Sequence, residues 1–346
     1  MPAASVYLHP RPGLIACVAL WSFPGLACFA STGASPLTNR PVWPAPPAEP
    51  RVVYVQSIHS PADLGVKRSV FKRVANWISG AGSESARFER PFCVALDDAG
   101  NLLFTDTGAN AVGCLDRSRK KWIRWEQVGK IRFQSPVAVA RHRDTIYVAD
   151  SALGKVLAFA ADGKPRFEIT RELERPAGLA LAGEKLFVAD AQRHQVVIFD
   201  LQGAFISKFG RRGGGPGELN FPTHIAADSN GRLLVTDSMN CRIQIFDSSG
   251  QFQRVIGSAG DSPGCFSRPK GVAVDQLGHI YAVDGIFDNV QVFDYQGHLL
   301  LNWGEAGSGP GQFWLPNGIA VSRENEIYVA DSYNRRIQVF RYIGKQ

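Results

Sequence analysis

LPNGIAVSRENEIYVADSYNRRIQVF, Leu315 to Phe340, is the last of six copies of one pattern: a proline, an apolar run, a turn, a strand ending in Asp, a short loop and a second strand. The strand-ending acids are Asp106, Asp150, Asp190, Asp237, Asp284 and Asp331, at intervals of 40 to 47 residues. Pro91, Pro136, Pro176, Pro222, Pro269 and Pro316 keep step with them. A period in the forties built of short strands indicates a β-propeller, because one small sheet cannot bury its own faces and must pack on neighbours. Six copies around one axis predict a single all-β, six-bladed domain.

The fourth copy shows how one blade is written: THIAADS, GRLLVTDS, RIQIFDSSG and FQRVIG are strands A to D, divided by turn residues. Strand A is rich in Gly, Ala and Val, as the innermost strand around a crowded axis must be. The chain ends at Gln346, directly after strand C of the sixth copy, so the region from Arg87 onward is one strand short of six complete sheets. RVVYVQSI, Arg51 to Ile58, alternates like a strand. It is expected to pair as the outer strand of the last blade, close the ring and cover an exposed edge. Between it and the first blade, Asp63 to Ser79 predicts a short helix with Val66, Val70, Val74 and Ile78 on one side. Lys67, Arg68, Lys72 and Arg73 lie on the other, so the helix either docks on the propeller or lies at a membrane interface.

YVADSYNRRIQVF, LVTDSMNCRIQIF and the GxGPGx[FL]xxP joints resemble NHL repeats. The joints are Gly213, Gly215, Pro216, Gly217, Leu219, Pro222 and Gly307, Gly309, Pro310, Gly311, Phe313, Pro316. The resemblance spans roughly residues 87 to 341 and is strongest in copies three to six; FTDTGANAVGCLD in the first lacks the Arg-Ile-x-Val pair. The whole chain is similar to bacterial six-bladed NHL-repeat lipoproteins. That resemblance implies a fold rather than a single function.

The N-terminus reads as an export signal over residues 1–27, with Arg11 ahead of an uncharged stretch from Gly13 to Ala30 that is interrupted by Pro24. Gly25-Leu26-Ala27-Cys28 resembles a lipobox, which implies lipidation of Cys28; Pro24 and the position of Leu26 depart from the usual pattern. Lipidation at Cys17, cleavage near Ala30 and an uncleaved anchor are the alternatives. Residues 28–50, with five prolines in TNRPVWPAPPAEP, predict an extended tether, and residues 51–346 the propeller. The expected location is the cell envelope, facing the periplasm from the outer membrane, since no Asp stands at position 29.

A net charge of +7 is mild and names no partner. The six strand-ending Asp residues read as acceptors for the B–C turn backbone rather than as a ring of metal ligands. Arg242 and Arg336, five residues later, are expected to pair with carboxylates between blades. The glycine-rich joints lack a Gly-Lys-Ser/Thr ending and read as connectors. The residues after each repeat proline should surround the axis on the face bearing the D–A and B–C loops. Blades two and three are apolar there, whereas Phe92, His224, Lys270 and Asn317 form an asymmetric arc suited to a ligand. A water-filled channel with incidental side chains is the alternative.

Of the histidines, His142, His279 and His298 fall on the opposite face, His59 lies upstream, and only His194 and His224 share the candidate face. A three-histidine zinc site, which resemblance to amidating-lyase propellers would imply, is not supplied; nor is the Glu, Asn and Asp calcium set of lactonase-type propellers. No metal or cofactor is expected. The reading is a binding or scaffolding module whose loop-bearing face takes a protein or small-molecule ligand. The alternative is a hydrolase or lyase centred on His224, Lys270 and Asn317.

Arg117, Arg119, Lys120, Lys121 and Arg124 crowd one turn with Trp122 and Trp125. Export argues against a nucleic-acid partner for this turn, leaving a solvated hairpin or an anionic-lipid contact. Cys241 and Cys265 share a face and a permissive compartment, so a disulfide between them is open, whereas Cys93 and Cys114 read as buried thiols.

Overall fold

A computed structural model describes residues 40–65, 87–117 and 119–344 of the chain. The export signal, Cys17, Cys28 and all but the start of the expected helix lie outside those residues. Asp63 and Leu64, at that start, belong to a 3-10 turn, Pro61–Leu64, ended by Gly65 in the left-handed region.

Six antiparallel sheets form the propeller. In blade four, strand A is Pro222–Ala227, B is Leu233–Asp237, C is Arg242–Phe246 and D is Phe252–Ile256. The other blades repeat that order over residues 91–125, 136–169, 176–209, 269–303 and 316–342. The sixth is completed from upstream: β2 (Val52–Ile58) pairs antiparallel with the last strand, Val52 opposite Tyr342 and Ile58 opposite Ile337. The expected closure is therefore present. A further strand, β1 (Val42–Trp43), pairs with β2 and makes this sheet five-stranded. Here the structure differs from a free tether: Trp43 lies edge-on to Phe340 and covers Gly311, where a side chain would collide with the indole. Burial of the apolar indole holds this extended segment against the last blade.

The core is six separate clusters, one for each interface between neighbouring blades. Strand A needs small residues because adjacent inner strands nearly touch. A Cβ on Gly178, Gly271 or Gly318 would fall 2.8, 2.5 or 2.7 Å from the carbonyl oxygens of Thr223, Asn317 and Phe92 in the next blade.

The repeated acids lock the loops as expected, and reach further. In blades one, two, three and five each carboxylate accepts from the B–C turn and also from backbone N–H groups of the loop entering its own blade. Asp106 takes Gly108 and Ala109 on one side, and Glu89 and Arg90 at 2.8 Å on the other. Blades four and six use side chains for the turn. Asp331 accepts from Trp314 N, Asn334, Arg336 Nε at 2.7 Å and Gln338; Asp237 accepts from Asn220 N, Asn240, Arg242 and Gln244. Arg242 and Arg336 thus pair within their own blades rather than between blades. Five residues of strand and turn return each guanidinium to its own Asp, and its remaining N–H groups cap joint carbonyls such as Gly215 and Gly309.

The Gln in RIQ(I/V)F has a matching role. Gln244, Gln291 and Gln338 each accept from a joint glycine, Gly217, Gly264 and Gly311, at 2.9 Å, and donate back to Glu218, Cys265 and Gln312 carbonyls. The apolar residue two places after each of these glycines, Leu219, Phe266 or Phe313, is fully buried. The joint preceding blade five, Gly257 to Phe266, is thus a third copy that the sequence pattern had not marked.

Candidate functional site

A bulge builds the site. In every blade strand A carries one extra residue directly after its proline. In blade four Pro222 opposes Asp237 and Ile225 opposes Val235, leaving Thr223 and His224 against Thr236 alone. The same shift places Phe92-Cys93, Lys270-Gly271 and Asn317-Gly318. A bulge re-aims side chains that the regular pleat would send into the blade interfaces.

The four expected residues come together. Blades one and four face each other across the axis, and the Phe92 and His224 rings span it at 6.1 Å between centroids, 21° from parallel. His224 and Asn317 are each only 8% exposed. Burial, and then the Lys270 charge, push the His224 imidazole down to about 3, against a side-chain hydrogen bond with Asn317 that favours the charged ring. Burial and Arg268 lower Lys270 in turn, opposed by Asp284. His224 also lines an axial cavity of about 320 Å³ whose far end carries Asp98 and Arg141. Phe92, Lys270 and Asn317 do not line it; they stand at the loop-bearing mouth.

A proton count assigns the tautomer of the neutral ring. Ser238 Oγ lies 3.0 Å from the Pro269 carbonyl, which can only accept, so the serine proton is committed there. Thr223 Oγ1, 2.6 Å from Ser238 Oγ, must then donate to it. With that proton used, His224 Nδ1 donates to Thr223 Oγ1 at 3.1 Å. His224 Nε2 is left as a lone pair. In this neutral form it is buried without a hydrogen-bond partner, and so is Asn317 Oδ1, whose side chain is the one a protonated ring would bond. Such atoms cost about 1–3 kcal/mol each when unsatisfied, so a ligand that reaches them gains correspondingly.

The remaining expected residues are placed elsewhere. His194 Nδ1 accepts from Phe221 N at 3.1 Å, a structural use within a loop. Trp122 stacks on Phe104 and Trp125 is buried against Phe159, so the basic turn does not offer its indoles to a ligand. Arg117 in that turn reaches blade six, 3.0 Å from Glu326 and 2.6 Å from Tyr328 Oη. Cys241 and Cys265 are not bonded to each other: the Cys241 thiol points to the Ser267 carbonyl at 3.2 Å, and Cys265 lies by Ser258. Cys93 and Cys114 are free, with burial pushing each thiol up to about 11. No His, Cys, Asp and Glu cluster of metal-binding size occurs among the described residues. The Thr223–Ser238 relay was missed in the sequence; Ser after the strand-ending Asp, repeated in Ser332, which donates to Pro91 O at 2.6 Å, was the available signal.

A family model for a six-bladed beta-propeller matches residues 170–231 and 226–288, and one for the NHL repeat matches residues 313–340. No curated protein sequence matches the chain. Among solved structures, a virginiamycin B lyase from Staphylococcus aureus is 16% identical, with a TM-score of 0.55 over 74% of this chain and 96% of that one. An auxiliary nutrient binding protein from Bacteroides thetaiotaomicron is 13% identical, with a TM-score of 0.59 over 74% of this chain and 69% of that one. Identities this low carry the fold alone. The chain is a six-bladed β-propeller whose last blade matches the NHL repeat.

Proposed function

We propose that this NHL-repeat propeller is an exported protein, anchored to the outer membrane through Cys28 and facing the periplasm, and that its loop-bearing mouth binds a small polar ligand. The observation that carries the binding reading is the pair of buried, unpartnered acceptors, His224 Nε2 and Asn317 Oδ1, beside the Lys270 ammonium. Their chemistry selects a ligand with an N–H or O–H donor for the imidazole and an acidic group for Lys270, such as a hydroxy or amino carboxylate. Phe92 supplies an apolar wall.

The enzymatic alternative asks His224 to move protons. A base held down to about 3 is poorly matched to that task near neutral pH, whereas a fixed neutral tautomer is suited to recognition. Ligand-observed NMR against a panel of small carboxylates tests the reading. Wild type is expected to bind at least one hydroxy or amino carboxylate, and the His224→Ala/Lys270→Ala/Asn317→Ala variant none. Equal binding by both proteins, or by neither, refutes it.

A further inference from the structure

The loop face carries a second feature outside the axis. Two residues after the strand-ending Asp, blades four, five and six place Met239, Ile286 and Tyr333, while blades one to three place Gly108, Ala152 and Gln192. Met239, Ile286 and Tyr333, with Trp314, are 45% to 55% exposed. Trp314 and Tyr333 are in ring contact at 5.5 Å. These side chains stand on turns already clamped by Asp237, Asp284 and Asp331, so little ordering remains to be done when a partner arrives.

Cations share the arc. Arg90 lies 5.2 Å over the Tyr333 ring, and Arg268 and Arg335 are exposed on neighbouring loops. The nearby carboxylates are turned inward: Asp284 and Asp331 hold loop N–H groups, and Asp288 accepts from Leu315 N at 2.7 Å. The other acids of these loops are Asp261, Glu305, Glu218, which pairs with Arg211, and Glu89 beside Arg90; exposed Arg87 and Arg212 keep the balance positive. Large apolar anchors among arginines are the composition of binding hot spots, and the charge calls for an acidic partner.

We propose that the loop face of blades four to six docks an acidic polypeptide segment bearing large apolar side chains, which lie on Met239, Ile286, Tyr333 and Trp314. This deepens the reading of the loop face as a binding surface. A polypeptide fits better than single-stranded nucleic acid because two of the four anchors are aliphatic and cannot stack on bases as aromatic rings do. It fits better than a lipid surface because the arc borders a concave axial mouth with specific buried acceptors.

The test uses three fluorescein-labelled dodecapeptides and fluorescence anisotropy at 0.15 M salt: Glu alternating with Trp and Leu, the same with Lys for Glu, and the same with Ser for Trp and Leu. The acidic apolar probe is expected to bind at least tenfold more tightly than either twin. Ile286→Ser/Tyr333→Ser should weaken it at least tenfold, and Arg268→Gln/Arg335→Gln several-fold, with circular dichroism confirming the fold. Equal binding of the lysine twin, insensitivity to both double variants, or no binding of the acidic probe overturns the proposal. So does substitution-sensitive binding to oligouridine or to vesicles containing phosphatidylglycerol in place of the probe. Ile286→Ser/Tyr333→Ser leaves His224, Lys270, Asn317 and the Arg268 charge beside Lys270 untouched, so the carboxylate screen repeated on that variant separates failure here from failure of the axial reading.

Discussion

Ring closure by β2 can be tested at its two ends. Val52 is fully buried in the cluster between blades five and six, beside Trp303, Phe313 and Phe340. Ile58 is 1% exposed in the cluster between blades six and one, beside Phe88, Leu102 and Ile337. One strand therefore seals both interfaces of the last blade. Ile58→Ala should cost about 2–5 kcal/mol from lost transfer energy and the cavity left behind. Val52→Ala removes two methyl groups and should cost about 2 kcal/mol. Six residues of strand put the sites about 20 Å apart, so the effects should add to about 4–7 kcal/mol. That is a large share of an ordinary domain's stability and should lower the melting temperature by on the order of 10 °C. Gln56→Ala, on the less buried middle of the strand, should change stability by within about 0.5 kcal/mol. Thermal unfolding followed by circular dichroism measures the shift, and hydrogen exchange at Arg336 to Tyr342 locates it. If both Ala variants melt with wild type, or exchange in the last strand is unaffected, β2 does not hold the ring closed.

Asp331→Ala strands the nearly buried Arg336 guanidinium and should cost about 3–5 kcal/mol in chemical denaturation, with partial recovery when Arg336→Met is added; a single variant within about 1 kcal/mol of wild type contradicts the clamp. His224 should stay neutral by NMR titration down to pH 4. Because its folded value, about 3, lies below the unfolded 6.5, the unfolded chain holds more protons in that window, and stability should fall as pH is lowered through it by up to about 1.4 kcal/mol per unit. Imidazolium formation above pH 5 would show that the mouth is wet and its cation remote. In a bacterial host, Cys28→Ala should abolish acyl labelling and release the protein from membranes, and unchanged palmitate incorporation would move the lipid to another residue such as Cys17.

The blade count, the strand order within a blade and the need for an upstream closing strand were legible in the sequence because each rests on a local period: alternation within strands, an Asp at the end of strand B, and glycine where the chain turns. The Asp residues could be read as turn acceptors for the same reason, since in four of the blades half of their partners lie within three residues. The other half of each clamp joins residues about 16 apart, and only the folded blade brings them together. Arg336 was read as reaching across blades, yet the return of strand C beside strand B sets it on its own Asp. Trp43 was read with its neighbouring prolines as a tether, and its place over Gly311 depends on a partner some 270 residues away. The post-proline positions indicated which side chains stand at the axial mouth. What they could not give was the protonation of His224, which follows from a Thr-Ser-carbonyl chain across two blades and from burial beside Lys270. Periodicity is a property of neighbours along the chain and survives in one dimension; desolvation, tautomer and charge pairing are properties of neighbours in space, and only the closed ring creates them.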